Sequence, residues 1–165
     1  MGMYTELNMA VALKGDTPQN IIDILAYMVG DSKEKPETPD HPLFETPRWD
    51  IMLNCDSYYF DGDTNSVLRK DEGINYYYLT IRSNFKNYND EIMLFLHFIH
   101  PYITDVNNGF IGYFRYEEYA VPTLIYSMFA GGFSLIEPHL TEPVTLHDTW
   151  LRRRMEPKEE GAKDE

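Results

Sequence analysis

The segment Thr80-Ile-Arg-Ser-Asn-Phe-Lys-Asn-Tyr88 gathers Arg82, Ser83, Asn84, Lys86, Asn87 and Tyr88 in a chain that is otherwise strongly acidic. It leaves an aromatic-rich strand and enters an amphipathic helix. Such a junction presents backbone N–H groups with no partner inside the helix, which suits an anion. Arg115, on a later strand, can add a second guanidinium. The chemistry expected here is the binding of a small anionic ligand such as a nucleotide or sugar phosphate. The same residues also have a plainer use, with Arg82 paired to a nearby carboxylate and the asparagines closing turns.

Other constellations carry less. Asp61, Asp63, Asn65 and Glu72 stand at positions 1, 3, 5 and 12 of a calcium-loop spacing. Ser66, however, replaces the glycine of the sharp turn, and aromatic strands flank the run, so an acidic hairpin turn is the expectation and no metal site is predicted. His97 and His100 are three apart on a helix and lack a third ligand at a telling spacing. Cys55 has no neighbour that would lower its pKa, and reads as a small buried hydrophobe. Glu117 and Glu118 are strand neighbours that point to opposite faces, which argues against an acid/base pair. Asp90 and Glu91 complement a helix N-terminus. No nucleophile elbow, zinc-protease helix, Walker loop or dinucleotide fingerprint is present, no cofactor is expected, and the balance leans away from an enzyme.

Several elements must position these residues. Residues 3–13 alternate, with Leu7, Met9, Val11 and Leu13 on one face of a half-buried strand. Thr17 and Pro18 suit a helix start, Ile21, Ile22, Leu25, Met28 and Val29 form its apolar stripe, and Gly30 suits its stop. Residues 31–47, with four prolines, read as a loop, and 48–55 as a short helix or turn. Strands are expected at 57–60, 66–69, 75–85, 109–118 and 122–129. A second helix is expected at about 88–100, capped by Asn87 or Asn89. Two helices cannot cover both faces of about six strands. The predicted class is therefore α+β, a mostly antiparallel sheet with both helices on one face. Residues 1–132 form the predicted compact domain and 133–165 a C-terminal extension, the last 15 or so residues being expected as a disordered end.

Charge bounds the partners. The 165 residues carry a net charge of −13, and residues 1–150 hold nine Lys/Arg against 22 Asp/Glu. Such a body repels phosphate backbones and anionic lipid, so neither direct nucleic-acid nor membrane binding is expected. One cysteine excludes an internal disulfide. No apolar run approaches the roughly 20 residues of a membrane span and no signal-peptide pattern opens the chain, so a cytoplasmic location is expected. The 13 tyrosines, with Tyr58, Tyr59, Tyr76, Tyr77 and Tyr78 clustered, suit cross-strand ladders and a partner-binding face.

The runs MYTELNMAVALKGDTPQNIIDILAYMVG, RWDIMLNCDSYYF and YLTIRSNFKNYNDEI resemble small proteins encoded by phages and bacteria that have no assigned reaction. The resemblance covers about residues 3–126 and implies a single compact domain. The functional expectation is a non-catalytic binding or inhibitor protein, in one version a phage accessory protein acting on a host system through an acidic, Tyr-rich surface. The alternatives are the anionic-ligand site at 80–88, and a homo-oligomer assembled through an uncovered sheet face and the WLRRRM run.

Overall fold

The computed structural model describes residues 4–104, 109–128 and 131–139. Six strands form one fully antiparallel sheet in the order β2-β3-β1-β4-β5-β6. They are β1 (Tyr4–Leu13), β2 (Val67–Asp71), β3 (Tyr76–Lys86), β4 (Gly109–Tyr116), β5 (Thr123–Ser127) and β6 (Phe133–Ile136). The helices are α1 (Gln19–Val29) and α2 (Glu91–Ile99). None among the described residues is long and apolar enough to cross a membrane.

The alternation of β1 decides which side the helices take. Leu7, Met9, Val11 and Leu13 are buried with Leu79, Ile81 and Phe85 of the neighbouring β3, in register. Ile21, Ile24, Leu25 and Met28 of α1 and Ile92, Phe95, Leu96 and Ile99 of α2 join that same core. Both helices therefore lie on one face, as expected for an α+β sheet of this size. The loop after α1 completes the layer. Leu43, Met52 and Leu53 are fully buried, and Phe44 and Trp49 set their rings edge-on at 5.0 Å between Tyr27 of α1 and Phe98 of α2.

Local chemistry sets the ends. Gly30 takes the left-handed conformation (φ 89°) and donates to the carbonyls of α1's last turn, the arrangement a helix-stopping glycine supplies. The Thr17 hydroxyl does not cap α1. It donates to the Lys14 carbonyl at 2.6 Å, closing the turn before the helix, and Pro18 holds the cap position. α2 starts later than expected, with Asp90 rather than Asn87 or Asn89 at the cap position and no side-chain bond from it, while the Asn87 side chain accepts from Ile92 N–H at 3.0 Å.

Two strand expectations change. Residues 57–60 are turns, because Asp56 and Ser57 side chains accept from the Ser57 and Tyr59 N–H groups at 2.8 and 3.1 Å and divert the backbone from a ladder. In compensation, the sheet gains β6 beyond Gly131-Gly132, where the sequence changes character. The expected disordered end falls outside the described residues.

Candidate functional site

β3 divides the 80–88 segment between two faces. Its period of two runs through Lys86, so Arg82, Asn84 and Lys86 face away from the helices while Ser83 and Phe85 are fully buried on the core side. The Arg82 guanidinium donates to the Asp61 carbonyl at 2.8 Å. Buried Asn84 bonds Asp56 at 3.2 Å, and the Lys86 ammonium lies 5.4 Å over the Tyr4 ring. Ser83 buries a hydroxyl without a hydrogen-bond partner. Arg115 shares the outer face with Arg82, but its Nε donates to the buried Glu6 carboxylate at 2.8 Å and its guanidinium covers Phe60. The start of α2 is likewise served by protein groups. Besides the Asn87 side chain, the fully buried Glu91 carboxylate accepts from Asn89 N–H at 2.9 Å and pairs with Arg48 at 3.4 Å. The cations of the segment and its helix N-terminus thus meet different internal partners and do not converge on one pocket.

The remaining candidates separate too. β2 lies between Asn65 and Glu72, and an extended strand of that length carries them roughly 20 Å apart. Glu72 pairs with Lys70 at 3.1 Å, whereas Asp61 receives Arg82. Among the described residues no group of three His, Cys, Asp or Glu side chains is placed to hold a metal ion. Half-buried Cys55 has its thiol pushed up by burial, away from nucleophilic use. Glu117 accepts from Tyr4 N–H at 3.0 Å, and Glu118 faces a separate cleft.

His97 of α2 and His100, in the 3-10 turn that follows it, also diverge. The Gly132 N–H donates to His100 Nε2. His97 Nδ1 lies 2.9 Å from Nε2 of His41, with the rings stacked. Leu43 N–H donates to His41 Nδ1 at 3.1 Å, so the His41 proton sits on Nε2 and is donated to His97. Burial, then the charge of His97, lowers the His41 pKa from its ordinary value of 6.5. Its protonation would break the Leu43 bond that starts the 3-10 turn at Pro42–Glu45. Because the unfolded chain takes up this proton first, the contribution is complete above pH 6.5 and declines as pH falls through the lowered value. A urea midpoint lower at pH 5 than at pH 7.5, by a margin that shrinks in His41→Asn, is the expected result.

A cleft opens beyond the start of α2. Ile111 of β4 and Ile125 of β5 are buried in the common core, and a groove of about 690 Å³ lies over the part of that face lined by Phe114, Tyr116, Thr123 and Leu135. Phe114 and Tyr116 of β4 form its floor, in register with Leu7 and Thr5 of β1. Tyr88 and Asn87 close the end nearest α2, and Leu135 and Glu137 the end at β6. Tyr119, from the turn after β4, stands edge-on to Tyr116 at 5.3 Å and 86°, giving two perpendicular aromatic walls. Partial burial, then the charges of Glu118 and Glu117, raise the Tyr116 pKa. A second cleft shares Tyr119, Thr123 and Glu137 and adds Glu118. No lysine or arginine among the described residues lines either one.

Only Asn87 and Tyr88 of this groove were among the residues singled out by sequence. The spacing of Tyr116 and Tyr119 about a Glu-Glu turn was the available signal for the rest. Compared with known proteins, the chain matches no family model, no curated protein and no solved structure. What the groove can do follows from its own side chains. Aromatic walls and a carboxylate favour cationic or planar groups, and its volume suits a short stretch of peptide or a ligand of similar size.

Proposed function

We propose that this is a non-catalytic binding protein, of the inhibitor or adaptor kind, that engages a protein partner through the tyrosine-walled, acidic groove over β4–β6. The observation that carries the reading is the groove itself: an open aromatic trough with a carboxylate at its rim, in a chain of net charge −13. Tyrosine provides large contact area at small entropic cost and recurs where interfaces concentrate their energy. Among the described residues the groove holds one carboxylate and no histidine or cysteine. A phage accessory protein acting on a host system is the version favoured by the family resemblance. The rival reading, an anionic ligand held at 80–88, draws less support because Arg82 and Arg115 are already engaged by Asp61 and Glu6.

The test compares the immobilised full chain with Tyr119→Ala and Glu137→Lys forms in capture from bacterial lysate. Tyr119 is 63% exposed, so its removal should leave the fold intact, as circular dichroism would verify. The expected outcome is a stoichiometric partner retained by the wild type and lost from both variants. Equal retention by all three, or no retained protein, would refute the groove as the binding surface.

A further inference from the structure

The same groove has a chemistry specific enough to name what enters it. Its wall rings stand perpendicular to one another, and Glu137 lies at one end. A neutral apolar side chain would use the rings and leave the carboxylate without a role. An anion would face Glu137 and Glu118 with no lysine or arginine among the described lining residues to receive it. A lysine ammonium would satisfy the charge, but it is strongly hydrated and presents no plane to a ring. A guanidinium does both, stacking on an aromatic face while its N–H fork reaches a carboxylate.

The molecule already makes this pairing on its own surface. Arg48 lies 4.9 Å over Tyr88, Arg69 5.0 Å over Tyr78, and Arg115 5.3 Å over Phe60. Arg48 and Arg115 at the same time contact a carboxylate, Glu91 and Glu6. Tyr116, Tyr119 and Glu137 repeat that aromatic-plus-carboxylate surround without an arginine of the described chain among the lining residues. The cleft of about 690 Å³ exceeds one side chain and leaves room for neighbouring residues along Leu135 and Thr123.

Resting on the binding reading above, we infer that the groove receives an arginine side chain carried on an extended basic segment of the partner protein, its guanidinium against Tyr116 and Tyr119 and directed to Glu137.

The experiment is fluorescence anisotropy with the full chain and three labelled nine-residue Gly/Ser peptides. They carry three arginines, three lysines, or three citrullines, the last nearly isosteric with arginine and uncharged. The arginine peptide should bind tightest, the lysine peptide several-fold weaker and the citrulline peptide at least about tenfold weaker. Glu137→Gln and Tyr119→Ala should each weaken the arginine peptide by about five- to tenfold, with little change for citrulline. Equal binding of citrulline and arginine, or equal binding by wild type and both variants, overturns the inference. Tenfold tighter binding after Arg152, Arg153 and Arg154 are all changed to Gln would make this chain's own basic run the occupant, and overturns the partner assignment. If no peptide binds while the lysate partner is still lost from Tyr119→Ala, the arginine inference falls and the binding reading stands.

Discussion

Replacing Gly112 with alanine is expected to lower the unfolding free energy by roughly 3 kcal/mol or more, among the largest losses available to a single added methyl. Gly112 sits on β4 opposite Met9 of β1, beside the bulge between Phe110 and Gly112. A Cβ there would stand 2.1 Å from the Asn8 carbonyl oxygen and 2.5 Å from Met9 Cα. These are backbone atoms of the central strand and cannot rotate aside, so β4 would have to move off β1. For a domain of this size such a loss lowers the melting temperature by about 10 °C. Gly73→Ala, whose new carbon would meet only the Asp71 side-chain oxygen at 3.3 Å, should change it little. Because β4 carries Phe114 and Tyr116, the alanine form should also bind a groove ligand more weakly. A urea midpoint for Gly112→Ala within error of wild type would mean that the β1–β4 approach is less tight than these distances require.

The elements with strong periodicity were legible because one local rule and the global packing agreed. β1 alternates over ten residues and α1 carries its stripe between Gln19 and Val29, so both were readable with nearly their observed limits. Where local side chains compete with the backbone, pattern alone misleads. Ser57-Tyr-Tyr-Phe60 has the β-propensity of a strand, yet the Asp56 and Ser57 oxygens hold it in turns. β6 is four residues long, at the sheet edge and between glycines and a proline, so nothing in its composition separates it from a connecting segment. The anion-site expectation treated residues 82–88 as one surface. An extended backbone through Lys86 instead distributes them between two faces. The groove was hidden for a related reason, since its side chains come from β1, the β3–α2 junction, β4, the following turn, β5 and β6. Only the register of the central strands brings them together, and register is a long-range property.

Arg48→Met should destabilise the protein by about 2–4 kcal/mol, and the asymmetry of the Arg48–Glu91 pair is the reason. Glu91 is fully buried at the start of α2, while the Arg48 side chain remains 26% exposed. Removing the guanidinium leaves a carboxylate out of water with the Asn89 N–H at 2.9 Å as its remaining described partner. Removing the carboxylate charge by Glu91→Gln leaves an arginine that can still reach solvent, so that variant should lose only about 1 kcal/mol. Arg48→Met combined with Glu91→Leu removes both charges and should recover part of the loss, giving a non-zero coupling in a double-mutant cycle from urea unfolding. Equal losses for Arg48→Met and Glu91→Gln would contradict the burial argument. The same substitution reaches the groove, because the Arg48 guanidinium lies 4.9 Å over the Tyr88 ring that closes one end of it. With methionine at position 48, Tyr88 loses that cation while Tyr116 and Tyr119 keep their mutual contact. Binding of the arginine peptide should therefore weaken by only a few-fold, less than in Tyr119→Ala, although the stability loss is larger. A variant that harms the fold more than the site, set beside one that harms the site more than the fold, separates the two roles that aromatic–arginine contacts have in this molecule.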